Sequence, residues 1–299
     1  MEILRFTLDK LPEKEDKLSL TLGYFDGFHL GHQALAFKAF EASEGLNAIL
    51  LFDLPVSSFP NRNSTACLSS LEQKLIQASR NRFERAYVLE ADSSFFDKTS
   101  EDFEKLLSCL GATSLFVGED FTYGKNARGN AESLVSSGFK VEVVPLLEKE
   151  GKKVSSSSIK ELIQNGLLEE ANERLGYPYE IKGEVVHGRG LGRSLGFPTA
   201  NLKLEMDYVL PHDGAYLGFA YVRGLPRKAM ISIGTNPTLG EDNARSIEAH
   251  ILDFDEDLYG RNLTLAFLKQ IRPVIRFSSL EELKAQLSLD KHLIETLQV

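Results

Sequence analysis

The sequence predicts a chain in two parts: an α/β domain on a parallel sheet, then an all-β antiparallel domain followed by a C-terminal helix. Three observations carry this. Between residues 18 and 147, apolar runs alternate with helix-like stretches. From 179 onward, short apolar runs follow one another across turns with no helix between them. A length of 299 residues also favours two hydrophobic cores over one.

In the first part, the runs at 18–22, 47–52, 85–89, 112–117 and 140–147 read as strands. Helix-like stretches lie near 32–42, 69–81, 99–110 and 130–137. Such alternation predicts a parallel sheet covered on both faces, with ligands at the carboxyl ends of its strands. The composition shifts near Leu175-Gly176-Tyr177-Pro178, which places the domains at 1–175 and 180–299. In the second part, 179–187, 215–223, 228–234, 246–253 and 262–270 read as strands and 278–287 as a helix. Consecutive strands of this kind form an antiparallel barrel or sandwich.

The formal net charge of -9 argues against a nucleic-acid partner, while leaving room for a locally positive phosphate site. No apolar run reaches the length of a membrane span. Met1 to Lys17 carries both charges and no signal-peptide core, so a cytoplasmic location is expected. Cys67 and Cys109 lack metal-ligand spacing and read as free thiols.

The first part is organised around Gly23-Tyr24-Phe25-Asp26-Gly27-Phe28-His29-Leu30-Gly31-His32, between a strand and a helix. His29 and His32 stand three apart, so they share one face of a first helical turn. There, free backbone N–H groups and the helix dipole favour anions. Gly31 lets a phosphate approach the backbone closely. With Gly23, Asp26 and Gly27, the loop is a candidate nucleotide triphosphate site. The bland reading is a turn with two capping histidines.

Two further segments end strands of the same sheet. Gly118 to Asn130 mixes aromatics, glycines, acids and bases, with Asp120, Phe121 and Tyr123 near its start. Such a loop can stack on a flat ring beside a phosphate, or be only a polar surface loop. Val154-Ser155-Ser156-Ser157-Ser158-Ile159-Lys160 leads into a helix ending near Gln164, and Ser158 with Glu161 fits a capping box. The other hydroxyls, Lys160 and the helix N-terminus make a second anion site, unless the serines merely cap.

In the second part, His187 to Asn201 holds Gly188, Arg189, Gly190, Gly192 and Arg193, a flexible basic loop suited to phosphates. No helix is expected after it, because Phe197-Pro198-Thr199 resists helical continuation. Thr199 and Asn201 share a face of an extended segment, and their oxygens are hard ligands suited to Mg²⁺. On the strand Ser246 to Asp253, Glu248 and His250 face away from Ile247, Ala249 and Ile251. Glu248 reads as a general base or as a salt-bridged acid, and His250 as structural.

The first loop resembles the Gly-x-Phe-Asp-Gly-x-His-x-Gly-His signature of nucleotidylyltransferases. Together with Phe197-Pro198-Thr199-Ala200-Asn201, Gly234 to Thr238, Glu248 to Gly260 and Arg272, it makes the chain similar to the bacterial bifunctional riboflavin kinase/FMN adenylyltransferases. The resemblance covers nearly the whole chain. It implies a Rossmann-like adenylyltransferase followed by a six-stranded antiparallel riboflavin kinase barrel. It implies ATP, riboflavin and FMN as substrates, FAD as product, and Mg²⁺ held by Thr199 and Asn201. Glu248, His29 and His32 become catalytic, and Asp120, Phe121, Tyr123 and Arg272 flavin-binding. Two positions depart from the family. Lys160 stands where an arginine is usual, keeping charge without the bidentate fork. Leu54-Pro55-Val56 lacks the usual polar residue after Phe52-Asp53.

Overall fold

The computed structural model describes residues 1–54, 66–188, 191–235 and 245–298. Pro55 and Val56, Arg189 and Gly190, and Asn236 to Thr238 lie outside the described residues. The contacts divide the chain into Met1–Ser156 and Ser157–Val299.

The first unit is a six-stranded parallel sheet. Its elements are β1 (Glu2–Phe6), β2 (Leu18–Leu22), α1 (Leu30–Ala42), β3 (Leu46–Asp53), α2 (Leu71–Arg80), β4 (Arg85–Glu90), α3 (Ser100–Leu110), β5 (Ala112–Gly118), α4 (Ala131–Ser136) and β6 (Lys140–Val144). The strand order is β1-β4-β3-β2-β5-β6. All five residues of β2 are buried, because helices cover both faces of the sheet. Leu18, Leu20 and Leu22 pack with Phe103, Leu106 and Leu107 of α3, whereas Ile49, Val88 and Phe116 pack with Leu35 and Ala39 of α1. The order reverses between β2 and β5, and the crevice at their carboxyl ends is where such sheets bind ligands. The loops after both strands carry the predicted site residues.

The second unit contains α5 (Ser156–Gln164), whose first residue belongs to the first unit, and α6 (Leu168–Leu175). Six strands follow: β7 (Tyr179–Val186), β8 (Ala200–Leu204), β9 (Gly214–Val222), β10 (Leu225–Thr235), β11 (Arg245–Ile251) and β12 (Asn262–Pro273). They close in the order β7-β8-β11-β10-β9-β12, so the barrel has no open sheet edge. Tyr179, Tyr216 and Phe267 are fully buried aromatics of its core. The last helix, α8 (Leu280–Thr296), buries Ile294 against Leu217, Met230 and Leu252.

Three expectations are corrected. A one-turn helix, α7 (Leu191–Leu195), lies inside the glycine-rich loop, ending at Gly196 with a φ of 88° before Phe197-Pro198 can interrupt it. α5 begins at Ser156, so Ser158 lies within its first turn and is not its N-cap. The segment after Thr199 is the sixth barrel strand, β8, paired with β7 and β11.

Candidate functional site

Each unit carries one constellation of polar groups at strand ends. In the first, His29 is the N-cap of α1 with an extended backbone and no side-chain capping bond. Its ring stacks on that of His32, with centroids 3.7 Å apart and planes 19° apart. Phe25 and Phe28, both fully buried, stack 5.5 Å apart and flank His32 at 5.1 and 6.1 Å. The Nδ1 atoms of both histidines are buried with no hydrogen-bond partner. Burial pushes the His29 pKa down to about 4, against weaker opposing pulls from Asp26 and Asp120. Burial, then the charges of His29 and Lys74, hold His32 well below the usual histidine range. Both rings are therefore neutral at pH 7, and carry N–H donors and no positive charge.

Asp26 does different work from that expected. Its Oδ1 accepts the backbone N–H groups of Leu68 and Ser69 at 2.8 and 3.2 Å. Gly27 N–H donates to Ser69 Oγ at 2.9 Å, and Ser156 Oγ donates to the Asp26 carbonyl at 2.8 Å. The carboxylate thus ties the loop to the segment at Leu68 and Ser69. Gly23 leaves room for the Phe25 ring, which would stand 3.0 Å from a Cβ there, and Gly31 leaves room for His29.

On the neighbouring loop, Asp120 pairs with Lys153 at 2.7 Å on the surface, and Phe121 is half-buried. Tyr123 is corrected: its hydroxyl bonds Glu104 at 2.6 Å and Ser133 at 2.9 Å, and its ring is buried on Phe103. It braces the loop from inside. Ser155 and Ser156 are half-buried at the start of α5, Ser157 is exposed, and Lys160 follows one turn beyond Ser156.

Sequence reasoning missed Lys74. Its ammonium lies 3.7 Å from the Tyr24 ring centroid, and the residue is buried. A lysine in an amphipathic helix ordinarily faces water, so no local signal marks it.

In the barrel, β8 lies beside β11 with Asn201 opposite Glu248 and Ala200 opposite Ala249. Thr199 Oγ1 donates to Glu248 Oε2 at 3.0 Å. A Cβ on Gly188 would stand 2.3 Å from the Asn201 amide, and one on Gly192 would stand 2.4 Å from the Phe197 carbonyl and 3.3 Å from Thr199 Oγ1. The glycine-rich loop can lie this close to Thr199 and Asn201 only without side chains. Beside it, a cavity of about 350 Å³ is lined by Val185, Arg193, Thr199, Ile251, Phe254 and Tyr259 among others. Arg272 Nε donates to the buried Asp290 at 2.8 Å, which fastens α8 to β12.

Comparison with known proteins gives both halves a family. The riboflavin kinase family model matches residues 175–297, and the FAD synthetase family model matches residues 11–158. The bifunctional riboflavin kinase/FMN adenylyltransferase of Listeria monocytogenes is 37% identical over 281 residues, 91% of this chain and 90% of that protein. The chain belongs to the bifunctional riboflavin kinase/FMN adenylyltransferases. The Bacillus subtilis member is 34% identical over 292 residues, covering 94% and 92%. A crystal structure described as a macrolide-efflux protein from Streptococcus pneumoniae matches with a TM-score of 0.86 and 29% identity, over 98% of this chain and 99% of that one. Among the described residues, no helix is long and apolar enough to cross a membrane.

Proposed function

We infer that the chain makes FAD from riboflavin in two ATP-dependent steps, phosphorylation to FMN and then adenylylation of FMN with release of pyrophosphate. The observation that carries this is the pair of family matches in one chain, each falling on a unit with its own phosphate-suited loop. We assign the adenylyltransferase to residues 1–175 and the kinase to 180–299.

For the kinase step, ATP occupies the cavity beside the glycine-rich loop, with its base against Phe254 and Tyr259. Arg193, on the cavity wall, offsets phosphate charge. Glu248 lies on the outer face of β11, with Ser232 opposite it on β10. The ribityl 5′-hydroxyl approaches from that face. Glu248 takes its proton as the oxygen attacks the γ-phosphorus, and ADP leaves. Thr199 lines the cavity and bonds Glu248, so it joins the nucleotide side to the base.

Thr199 and Asn201 supply a hydroxyl and an amide oxygen, hard ligands that fit Mg²⁺ completed by nucleotide phosphates. When bound, Mg²⁺ neutralises charge on the phosphates.

For the adenylyl step, the FMN phosphate attacks the α-phosphorus of a second ATP. Its oxygen is already anionic, so no base is required. His29 and His32 donate N–H groups to the charge that develops, with the N-terminus of α1, Ser155 and Ser156 as further donors. FMN lies along the loop holding Asp120 and Phe121. Purified protein incubated with ATP, Mg²⁺ and riboflavin, with flavins separated by chromatography, tests both steps. FMN followed by FAD is expected. Accumulation of FMN alone removes the adenylyl step, and unchanged riboflavin removes the kinase.

A further inference from the structure

We propose that His250 is a positioning residue for phosphoryl transfer: it holds the carbonyl of Pro198 and so sets Thr199 against Glu248. This rests on the kinase reading above. The β8–β11 ladder begins only at Ala200, opposite Ala249. Pro198 and Thr199 stand before it, and proline has no N–H to extend it. Side chains of β11 take over that task. His250 is buried, and its Nδ1 lies 2.8 Å from the Pro198 carbonyl oxygen. A carbonyl only accepts, so Nδ1 carries the proton and donates. Two residues earlier on the same face, Glu248 accepts from Thr199 Oγ1 at 3.0 Å. One strand face therefore grips two successive residues, 198 and 199.

The grip extends further. The Phe197 ring meets the His250 ring at 5.4 Å and 70°. Phe197 N–H donates to the Gly192 carbonyl at 2.8 Å, and Gly196 N–H to that of Arg193 at 3.2 Å. α7, with Arg193 on the cavity wall, is thus tied to the segment His250 holds. Burial pushes the His250 pKa down, so the neutral donor form is the one present at pH 7.

A hydrogen-bonding role and a space-filling role predict opposite rankings of two variants. His250→Asn keeps an N–H donor near the Nδ1 position but loses volume. His250→Leu keeps volume and loses the donor. We expect His250→Leu to lower kcat/KM for riboflavin phosphorylation roughly tenfold or more, the scale of one lost hydrogen bond. The Mg²⁺ and ATP concentrations for half-saturation should rise. His250→Asn should stay within about threefold of the parent, and adenylylation of supplied FMN should be unchanged in both. A Leu variant as active as the Asn variant, or a more active one, overturns the proposal. A second measurement does not depend on variants folding: ¹⁵N chemical shifts of the parent imidazole at pH 7 should report the neutral Nδ1–H tautomer. The Nε2–H tautomer overturns it equally. A parent protein without kinase activity defeats the functional reading instead, and leaves the tautomer measurement to decide the His250 contact.

Discussion

The stacked pair His29 and His32 should make the first unit lose stability as pH falls from 7.5 to 5.5. Both histidines have native pKa values below the unfolded value of 6.5, His29 at about 4 and His32 well below its usual range. A depressed native pKa means that the unfolded chain binds protons first. The contribution is intact above pH 6.5 and is lost as pH falls from there toward the native pKa. At pH 5.5 an unfolded histidine is about ten-elevenths protonated and a native one of this pair nearly unprotonated. The difference from pH 7.5 is about 1.4 kcal/mol per histidine, so roughly 3 kcal/mol for the pair. Any native pKa below about 5 gives the same figure, so His32 needs no exact value. The window lies above the range where carboxylates titrate. Native-state hydrogen exchange of the buried β2 and β5 amides, corrected for intrinsic rates, reads the opening free energy of this unit at each pH. Replacing His29 or His32 with Gln should remove about half of the pH dependence each. A free energy that stays flat between the two pH values refutes the argument, as does an undiminished dependence in both variants.

Three further outcomes are expected. Glu248→Gln should reduce FMN formation from riboflavin by about 10²–10⁴-fold while conversion of supplied FMN to FAD persists, and near-normal phosphorylation would remove Glu248 as the base. The double change His29→Ala with His32→Ala should do the reverse; loss of both activities in a chain folded by circular dichroism would refute the division of labour. Arg272→Ala leaves the buried Asp290 without its charged partner, so thermal and urea unfolding of the barrel unit should show about 3–5 kcal/mol of destabilisation, and a change under about 1 kcal/mol would refute the anchoring role.

What the sequence makes legible is what short-range periodicity controls. β2 and the strand cores at 47–52, 85–89 and 112–117 stand where the apolar runs put them, because a strand between two helical layers must be apolar on both sides. β1 escapes this logic: it is an edge strand with Ile3 exposed and charged residues within it, so nothing in its composition separates it from a loop. β8 escapes because its pairing with β7 and β11 creates it, against the Pro198 just before it. The histidine stack follows from three-residue spacing at a helix start, whereas the pairing of Asp26 with Leu68 and Ser69, of Tyr123 with Glu104, and of Arg272 with Asp290 depends on distant partners that no local pattern names.

The chemistry of the two steps accounts for where the carboxylates stand. A ribityl hydroxyl is a weak nucleophile that must lose a proton, the task proposed for Glu248, which accepts a hydrogen bond from the Thr199 hydroxyl. A phosphate monoester attacks as an anion, so a carboxylate beside it would only repel. In the parallel-sheet unit, the one acid within the histidine loop, Asp26, is buried and aimed at backbone amides. The groups proposed to meet an anion are neutral imidazoles at a helix N-terminus, which can donate hydrogen bonds without needing a proton from solvent. On the proposed roles, transfer at phosphorus is served by a base in one unit and by neutral hydrogen-bond donors in the other.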